Sequence, residues 1–233
     1  FRRVLFRSSD LKSIFFYNNL IDDIHIWDEY NNWPSKIDQT YINKSKFDII
    51  FHPMASLRPS WQPYRHQTEE ICLVHNLKPP QDLQICLNPY FPIDKTYKDY
   101  IVICHEGSTD SHKKNLSFDY TVQLCEKIIS IGYRPLFFQK KINNYDCINT
   151  SFFDSIKIML SSKLLITIDS ALCWIASGYN FPTIGLYNKN YYSQYGANTS
   201  KNWQPINPNS VYLESDSPNT IDIDLIKEAI CYM

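Results

Sequence analysis

The segment Lys163–Tyr187, which reads KLLITIDSALCWIASGYNFPTIGLY, constrains the fold of this chain more than any other part of its sequence. An apolar run at Leu164–Ile168 is followed by the polar pair Asp169-Ser170, a helix-like stretch, and a second apolar run that begins after Pro182. A strand, a turn, a helix and a strand within about 25 residues are typical of the βαβ unit of a parallel sheet. The sequence therefore predicts an α/β fold with a parallel sheet.

The polar pair Asp169-Ser170 follows the first of these strands. Ligands of open parallel sheets bind beyond the carboxyl ends of the strands, which is where this pair is expected. A helix that begins at Ser170 directs free backbone N–H groups and the positive end of its dipole towards this edge, and both stabilise anions. Asp169 could hydrogen-bond a sugar hydroxyl, but capping of the following helix is the favoured interpretation. We expect an anion site here.

Composition and charge narrow the classes of function. The 233 residues allow one or two domains with a sizeable core. The formal net charge is −1, so no global field attracts nucleic acid or an anionic membrane, and an anion site must be local. The seven cysteines are scattered without a CxxC pair, which is typical of reduced thiols in a cytoplasmic protein. No apolar span of 18 residues occurs, so we expect at most peripheral membrane contact.

The first part of the chain has weaker patterns. Short apolar runs at Ile24–Trp27 and Phe47–Phe51 predict strands, and apolar residues at helical spacing predict a helix over His66–Leu77. Residues 1–8 are basic and apolar but lack the length and the small-residue site of a signal peptide. We interpret these eight residues as foreign or truncated sequence outside the fold.

A regular alternation of strands and helices begins after Asn88–Asp99, which contains prolines and predicts a linker. We therefore expect one domain at residues 1–93 and a second at residues 94–233. The predicted strands of the second domain are Tyr100–Cys104, Pro135–Phe138, Leu164–Ile168 and Thr183–Tyr187. Predicted helices lie near residues 118–129, 152–160 and 221–230, and residues 188–209 predict an irregular aromatic loop. Because helical segments join the four strands, they should be parallel neighbours in one sheet.

The loop His105–Asn115, HEGSTDSHKKN, follows the strand Tyr100–Cys104. Its residues offer what a diphosphate needs, namely a tight turn, hydroxyls and cations, at Gly107, Ser108, Thr109, Lys113 and Lys114. The alternative is a solvated loop without a ligand, because such loops are common on protein surfaces. The loop alone does not indicate an anion site. It does so only in combination with Asp169-Ser170, which is expected at the same edge of the sheet.

Aromatic and acidic motifs leave alternatives open. Trp174 is interpreted as a core residue in preference to a ligand platform. A second aromatic group either stacks on a base or sugar or covers the sheet, and it consists of Tyr191, Tyr192, Tyr195 and Trp203. Asp222-Ile223-Asp224 has the form of a metal-binding DxD, but a solvated first helical turn is favoured. His105-Glu106 with His112 does not have the HExxH spacing of a zinc site.

Two blocks of this sequence resemble signatures of family 9 glycosyltransferases, the heptosyltransferase-like enzymes. Tyr100–Phe138 resembles the strand, His-x-Gly-Ser/Thr loop, Lys and helix that open their C-terminal domain. Leu164–Tyr187 resembles their strand, Asp-Thr-Gly-x-x-His helix and following Pro-containing strand. This chain instead has Ala171 in place of Gly, which narrows backbone access to a phosphate, and Trp174 in place of His, which removes a donor.

The resemblance implies a GT-B-like architecture, in which two Rossmann-like domains face a cleft. The first domain would be incomplete here, because the Gly-Asp loop that carries the family's catalytic Asp has no counterpart, and we expect that Asp upstream. The implied activity transfers a heptose-like sugar from a nucleotide diphosphate donor to a glycan or lipid-linked acceptor, as in lipopolysaccharide biosynthesis. Family members act in the cytoplasm without a metal or other cofactor. The alternatives are a catalytically silent sugar-nucleotide-binding or scaffold protein, and a GT-B-shaped nucleotide-sugar epimerase.

The resemblance also implies a donor-binding site at Gly107, Ser108, Thr109, Lys113, Lys114, Asp169, Ser170, Ala171 and Trp174. The hydroxyls, one Lys and the Ser170 N–H should converge at one edge of the sheet. The family places a single Lys after the turn, and neighbouring side chains of an extended loop point in opposite directions. We therefore expect Lys114 to face the site and Lys113 to face solvent.

Overall fold

The computed structural model describes residues 4–7, 23–26, 69, 78, 92–107, 111–193 and 200–233. The chain divides into two compact units, Phe1–Gln81 and Asp82–Met233. The division falls upstream of the boundary expected at residue 93, and the domain assignment stays a prediction. The strand predicted at Phe47–Phe51 and the helix predicted at His66–Leu77 lie outside the described residues, apart from Glu69.

The first unit contains two parallel strands in its described part, β1 (Val4–Arg7) and β2 (Asp23–Ile26). The strand β1 places residues 4–7 in the fold, so their exclusion from it was wrong, whereas the interpretation of residues 1–8 as foreign or truncated sequence stays a prediction. Three consecutive apolar residues begin β1, as is usual for strands of parallel sheets, and flanking arginines obscured this short pattern. The strand β2 confirms the predicted strand with a shift of one residue.

The second unit is built on a six-stranded parallel sheet, which confirms the predicted α/β fold. Its strands are β3 (Tyr100–Cys104), β4 (Arg134–Phe138), β5 (Asp146–Ile148), β6 (Leu164–Ile168), β7 (Thr183–Asn188) and β8 (Ser210–Ser215). The helices are α1 (Ser111–Lys114), α2 (Phe118–Ser130), α3 (Phe152–Ser161), α4 (Ala171–Gly178), α5 (Lys189–Ser193) and α6 (Ile223–Tyr232). None of the helices among the described residues is long and apolar enough to cross a membrane.

The order of the strands across the sheet is β5-β4-β3-β6-β7-β8. All of the pairs are parallel, so the prediction that the four apolar runs are parallel neighbours is confirmed. After β3 the chain builds outwards to β4 and β5, and it then returns to place β6 on the other side of β3. The carboxyl ends of β3 and β6 therefore flank the switch point at which parallel sheets bind ligands.

The core holds these carboxyl ends in place. Every residue of β6 is buried, as expected of a central parallel strand covered on both faces. The apolar sides of α2 and α6 pack on the sheet through residues such as Leu124, Ile128 and Ile226, all of which are fully buried. Well-packed cores resist small displacements, so the loops that follow the central strands start from fixed positions.

Two stretches predicted to be irregular contain short helices. Of the predicted linker, residues 92–99 are described, and they include a 3-10 turn at Lys95–Tyr97. The Asp94 N–H donates to Ser161 Oγ at 2.9 Å, which ties this segment to the end of α3. The predicted loop at residues 188–209 contains α5 and a 3-10 turn at Lys201–Trp203, so that interpretation was wrong in part. These three segments have only three to five residues each, and most of those are polar, so no apolar periodicity stands out in the sequence.

Helix α3 begins after a serine cap, Ser151, in the sequence pattern Ser151-x-x-Asp154. Ser151 Oγ accepts from the Asp154 N–H at 3.1 Å and donates to Asp154 Oδ2 at 2.7 Å. We expect Ser151→Ala to lower the free energy of unfolding by about 1 kcal/mol, because a first-turn N–H loses its acceptor. Urea denaturation measures this loss. The control is Ser130→Ala, at the exposed end of α2, which should stay within about 0.5 kcal/mol; equal losses would contradict the capping role.

Candidate functional site

A cavity of about 540 Å³ lies at the carboxyl ends of β4, β3 and β6. Its wall comes from the loops after these three strands, from Lys114 at the end of α1, and from the first turns of α3 and α4. The lining residues are Ile103, Cys104, His105, Glu106, Gly107, Lys114, Phe138, Gln139, Lys140, Phe152, Ser155, Asp169, Ser170, Ala171, Leu172 and Trp174. The cavity therefore lies at the switch point of the sheet, within the second unit.

Six of the nine predicted site residues line this cavity: Gly107, Lys114, Asp169, Ser170, Ala171 and Trp174. Lys113 is exposed and does not line the cavity, and its carbonyl oxygen accepts from Asn188 Nδ2 at 2.7 Å. Ser108 and Thr109 lie outside the described residues. The loops after β3 and β6 thus meet at one edge, and Lys114 rather than Lys113 faces the cavity. What these residues bind stays a prediction.

Lys114 and Asp169 form an ion pair on the cavity wall. Lys114 Nζ donates to Asp169 Oδ2 at 2.7 Å, and the two side chains are only 13% and 19% exposed. Lys114 Nζ also lies 4.3 Å from the centre of the Tyr191 ring, which favours a cation. The same Asp169 oxygen accepts from Tyr192 Oη at 2.8 Å. Asp169 therefore holds Lys114 at the cavity, and the hydrogen bond from Tyr192 holds Asp169 in turn.

Our favoured interpretation of Asp169 as a helix cap was wrong. The cap residue of α4 is Ser170, and its side chain makes no capping hydrogen bond to the first turn of this helix. The Ser170 hydroxyl is engaged by Thr167 Oγ1 at 2.9 Å and by the Cys104 thiol at 3.5 Å. The two potential caps are thus held elsewhere. The Cys173 N–H donates to the Ser170 carbonyl oxygen at 3.1 Å, which leaves the N–H groups of Ala171 and Leu172 to a ligand, and the exposed Ala171 lies at the cavity wall.

The hydrogen bond from Tyr192 to Asp169 provides a test of this arrangement. We expect Tyr192→Phe to lower the free energy of unfolding by about 2 kcal/mol, because a bond to a charged group is lost inside the protein. Tyr187→Phe is the matched control, since both tyrosines are 1% exposed and the partner of Tyr187 Oη among the described residues is the weakly bonding Cys173 Sγ, at 3.5 Å. The control should lose well under about 1 kcal/mol. Chemical denaturation of both variants measures the difference, and equal losses would mean that Asp169 does not need Tyr192.

Gly107 does not use the conformational freedom that its place in a turn suggested. Its φ lies outside the left-handed range, and an added Cβ would meet Ile168 Cδ1 at 3.5 Å, an ordinary contact. The Gly107 N–H donates to Asn115 Oδ1 at 2.9 Å, and the Leu116 N–H donates to the His105 carbonyl oxygen at 3.0 Å. These two bonds close the loop and bring Lys114 back to the cavity.

The aromatic residues divide between the cavity and the sheet. Trp174 is half-buried and lines the cavity, so its interpretation as a core residue was wrong. Phe138 and Phe152 line the same cavity and give it an apolar wall. Tyr191 and Tyr192 are 7% and 1% exposed and pack beside Trp203, so they cover the sheet. Tyr195 lies outside the described residues.

Sequence reasoning missed the contribution of the loop after β4. Gln139 has a φ of 63°, and the Lys140 N–H donates to the Phe138 carbonyl oxygen at 2.7 Å, which defines a tight three-residue turn. This turn brings Lys140 into an ion pair with Glu106, the second residue after β3. The predicted parallel sheet could have indicated this contribution, because the carboxyl ends of β3 and β4 must lie at the same edge of the sheet.

His105 is the second contribution that sequence reasoning missed. The imidazole is 6% exposed, and its Nε2 has no hydrogen-bond partner among the described residues. The ring packs edge-on against Phe137, with 5.3 Å between ring centres. Burial lowers the pKa of His105, nearby Lys140 lowers it further, and nearby Glu106 opposes the shift. His105 is therefore a neutral imidazole at neutral pH.

Metal ligands are not grouped in the part of the chain that the structure describes. No cluster of three or more His, Cys, Asp or Glu residues there could hold a metal ion. In the DxD motif, Asp222 caps α6 by accepting from the Asp224 N–H at 2.9 Å. Asp224 Oδ1 forms an ion pair with Lys127 Nζ at 2.5 Å. This motif is the first turn of a helix, as favoured from the sequence.

Comparison with known proteins gives matches in structure alone. No protein-family model matches the chain, and no curated protein matches its sequence. A family 9 glycosyl transferase from Veillonella parvula covers 100% of this chain and 89% of its own, with 13% identity and a TM-score of 0.68. The E. coli heptosyltransferase WaaC, solved with ADP, covers 100% of this chain and 99% of its own, with 11% identity and a TM-score of 0.66.

The glycosyltransferase TibC from enterotoxigenic E. coli covers 95% of this chain and 58% of its own, with 12% identity and a TM-score of 0.58. These identities are too low to carry residue roles from one chain to another. The agreement in fold extends over the whole length of the present chain in the first two comparisons. The chain therefore has the GT-B-like α/β fold of family 9 glycosyltransferases and heptosyltransferases.

Proposed function

We propose that the chain belongs to a glycosyltransferase that binds a nucleotide diphosphate sugar in the cavity of the second unit. The observation that carries this proposal is the meeting of Lys114 with the uncapped N-terminus of α4, on one wall at the switch point of the sheet. Both groups suit a diphosphate. One supplies a charge-assisted donor and the other supplies fixed backbone N–H groups. One of the proteins that share this fold is a heptosyltransferase solved with ADP, and this similarity supports the same class of ligand.

The proposed reaction moves a heptose-like sugar to the hydroxyl of a glycan or lipid-linked acceptor, in the cytoplasm. The bond between the sugar and the diphosphate breaks, a bond to the acceptor oxygen forms, and the nucleoside diphosphate leaves. Lys114 and the first N–H groups of α4 would stabilise the charge that develops on the departing diphosphate. The proposal needs no metal or other cofactor, and it leaves the base that takes the acceptor's proton unassigned.

The walls of the cavity are suited to the two remaining parts of such a donor. Phe138, Phe152 and Trp174 offer an apolar surface for a ring, whereas Asp169 offers carboxylate oxygens for hydroxyl groups. A cavity of about 540 Å³ falls within the usual range for small-molecule sites. These features fit a nucleotide sugar better than a free inorganic anion, which needs no apolar wall.

A catalytically silent nucleotide-sugar-binding protein is the second candidate. The observation that favours it is the Lys114–Asp169 ion pair, because a lysine bound to a carboxylate has less charge to offer a diphosphate. Ala171 and Trp174 also stand where the family carries Gly and His. In this alternative the cavity binds a nucleotide sugar and transfers nothing.

Calorimetric titration with ADP-glucose, UDP-glucose, GDP-mannose and ADP-heptose tests the proposal. We expect saturable binding of at least one of them, together with loss of the sugar from the donor when a lipid-linked acceptor is added. Binding without transfer would favour the silent alternative. Absence of binding by all four donors would contradict both.

A further inference from the structure

We propose that His105 contacts the diphosphate of the bound ligand through Nε2 and takes up a proton when that ligand binds. This inference rests on the proposed function and adds a residue and a pH dependence to it. His105 is the first residue after β3, so its backbone is fixed at the carboxyl edge that also carries the Asp169-Ser170 pair. His105 is one of the residues that line the cavity, and its side chain is 7% exposed.

The first argument is the state of Nε2. This atom is buried and has no hydrogen-bond partner among the described residues. Glu106 Oε1 lies 3.8 Å from this atom, beyond hydrogen-bonding distance. Buried polar atoms are nearly always paired, so an unpaired one in a residue that lines a cavity points to a partner that a ligand supplies.

The second argument is the charge balance of the wall. The charged side chains that line the cavity are Glu106, Lys114, Lys140 and Asp169. They form two ion pairs, Lys140 with Glu106 and Lys114 with Asp169. Each of these lysines is already paired with a carboxylate, and the charges of the described part of the wall therefore balance. A diphosphate that enters brings negative charge that no unpaired lysine among the described lining residues offsets.

A neutral imidazole can supply the missing positive charge. Histidine changes its charge near neutral pH, whereas lysines are already protonated there and carboxylates already ionised. The half-buried Cys104 also lines the cavity, but desolvation raises the pKa of its thiol, which can only become negative. His105 is thus the titratable group of the described wall that can gain a proton as the ligand binds.

The direction of the pH dependence follows from the two states of His105. Without ligand, burial holds the pKa of His105 below its usual value. With a diphosphate beside it, the opposite charge raises this pKa. Affinity therefore rises as the pH falls through the ligand-bound pKa, by up to about tenfold per pH unit, and levels off below the ligand-free pKa. Below the ligand-free pKa, His105 is protonated both with and without ligand, so binding takes up no further proton.

Calorimetry with the wild-type chain tests the inference without any substitution. Nucleotide sugars are suitable probes because their diphosphate has no terminal phosphate, the group that titrates near pH 6. ADP-glucose, UDP-glucose, GDP-mannose and ADP-heptose are titrated at about pH 7 in buffers of different ionisation enthalpy, which gives the number of protons taken up. We expect an uptake approaching one proton per bound ligand. Binding without proton uptake between about pH 5.5 and 8.5 would overturn the role of His105 and leave the proposed function intact.

Two variants assign the proton to its residue. His105→Gln keeps an N–H group near the position of Nε2 and cannot titrate, so uptake should fall to nearly zero and the affinity should become flat with pH. His112→Gln is the matched control, because His112 is exposed on α1 and does not line the cavity, and it should keep the wild-type uptake. If His105→Gln fails to fold, NMR titration of the wild-type histidines with and without ligand replaces it, and an unchanged set of pKa values would overturn the proposal. Failure of every nucleotide sugar to bind the wild type would instead reject the proposed function, and this inference with it.

Discussion

Replacing Lys114 by Ala is expected to weaken binding of a nucleotide sugar by about 10- to 150-fold. The substitution removes a charge-assisted hydrogen bond to the diphosphate and leaves Asp169 unbalanced on the same wall, where it repels an anion. Lys113→Ala is the matched control. The neighbouring lysine is exposed outside the cavity, so its loss should change the affinity by less than about twofold. Equal, small losses of affinity in the two titrations would show that neither lysine of this loop contacts the ligand.

The two lysines should also differ in their effect on stability. Exposed lysines contribute little to folding, which applies to Lys113. The Lys114 side chain, in contrast, is only 13% exposed and is paired with Asp169. We expect Lys114→Ala to lower the free energy of unfolding by about 1 to 3 kcal/mol, between the values for surface and buried pairs. Denaturation curves recorded beside the titrations separate lost binding from lost folding.

Gly185→Ala is expected to be the most destabilising small substitution in the sheet. Gly185 lies in β7, and an added Cβ would overlap Tyr212 Cδ1 and approach Tyr187 Cε2 to 2.8 Å. Both contacts are with aromatic rings, and the Tyr187 ring is fully buried, so little room exists to relieve them. Overpacking of this kind costs about 3 kcal/mol. Urea denaturation measures the loss.

Gly107→Ala is the control for this prediction. An added Cβ at Gly107 finds only ordinary contacts and a backbone that any residue adopts. This substitution should leave stability within about 0.5 kcal/mol, or raise it slightly by restricting the unfolded chain. The double variant Gly185→Ala/Tyr212→Ala should cost less than the sum of its single variants, because the main overlap is removed. Additive losses would show that the overlap with Tyr212 does not cause the effect.

The central strands could be read from the sequence because burial on both faces makes them continuous apolar runs. Leu164–Ile168 and Tyr100–Cys104 match β6 and β3 residue for residue. The outer strands could not be read in this way. β8 is only partly buried along its length, and β5 has three residues, too few for a pattern to stand out. The same holds for α1, a polar helix of four residues.

The site was predicted in outline, and its details depend on contacts between distant residues. Lys114 faces the cavity, but the reason differs from the one expected, because residues 111–114 form a helical turn and not an extended loop. Asp169 was expected to cap its helix, and its pairing with Lys114 and Tyr192 needs side chains 55 and 23 residues away. Lys140 reaches Glu106 only because β4 pairs with β3. Sequence spacing carries none of these tertiary contacts.

A crystal structure with bound ADP tests the central claim most directly. The account predicts that ADP occupies the cavity with its diphosphate within about 3 Å of Lys114 Nζ and of the first backbone N–H groups of α4. The adenine ring should then lie against the apolar wall formed by Phe138, Phe152 and Trp174. A diphosphate bound out of reach of both Lys114 and α4 would contradict the claim that this cavity is the donor site.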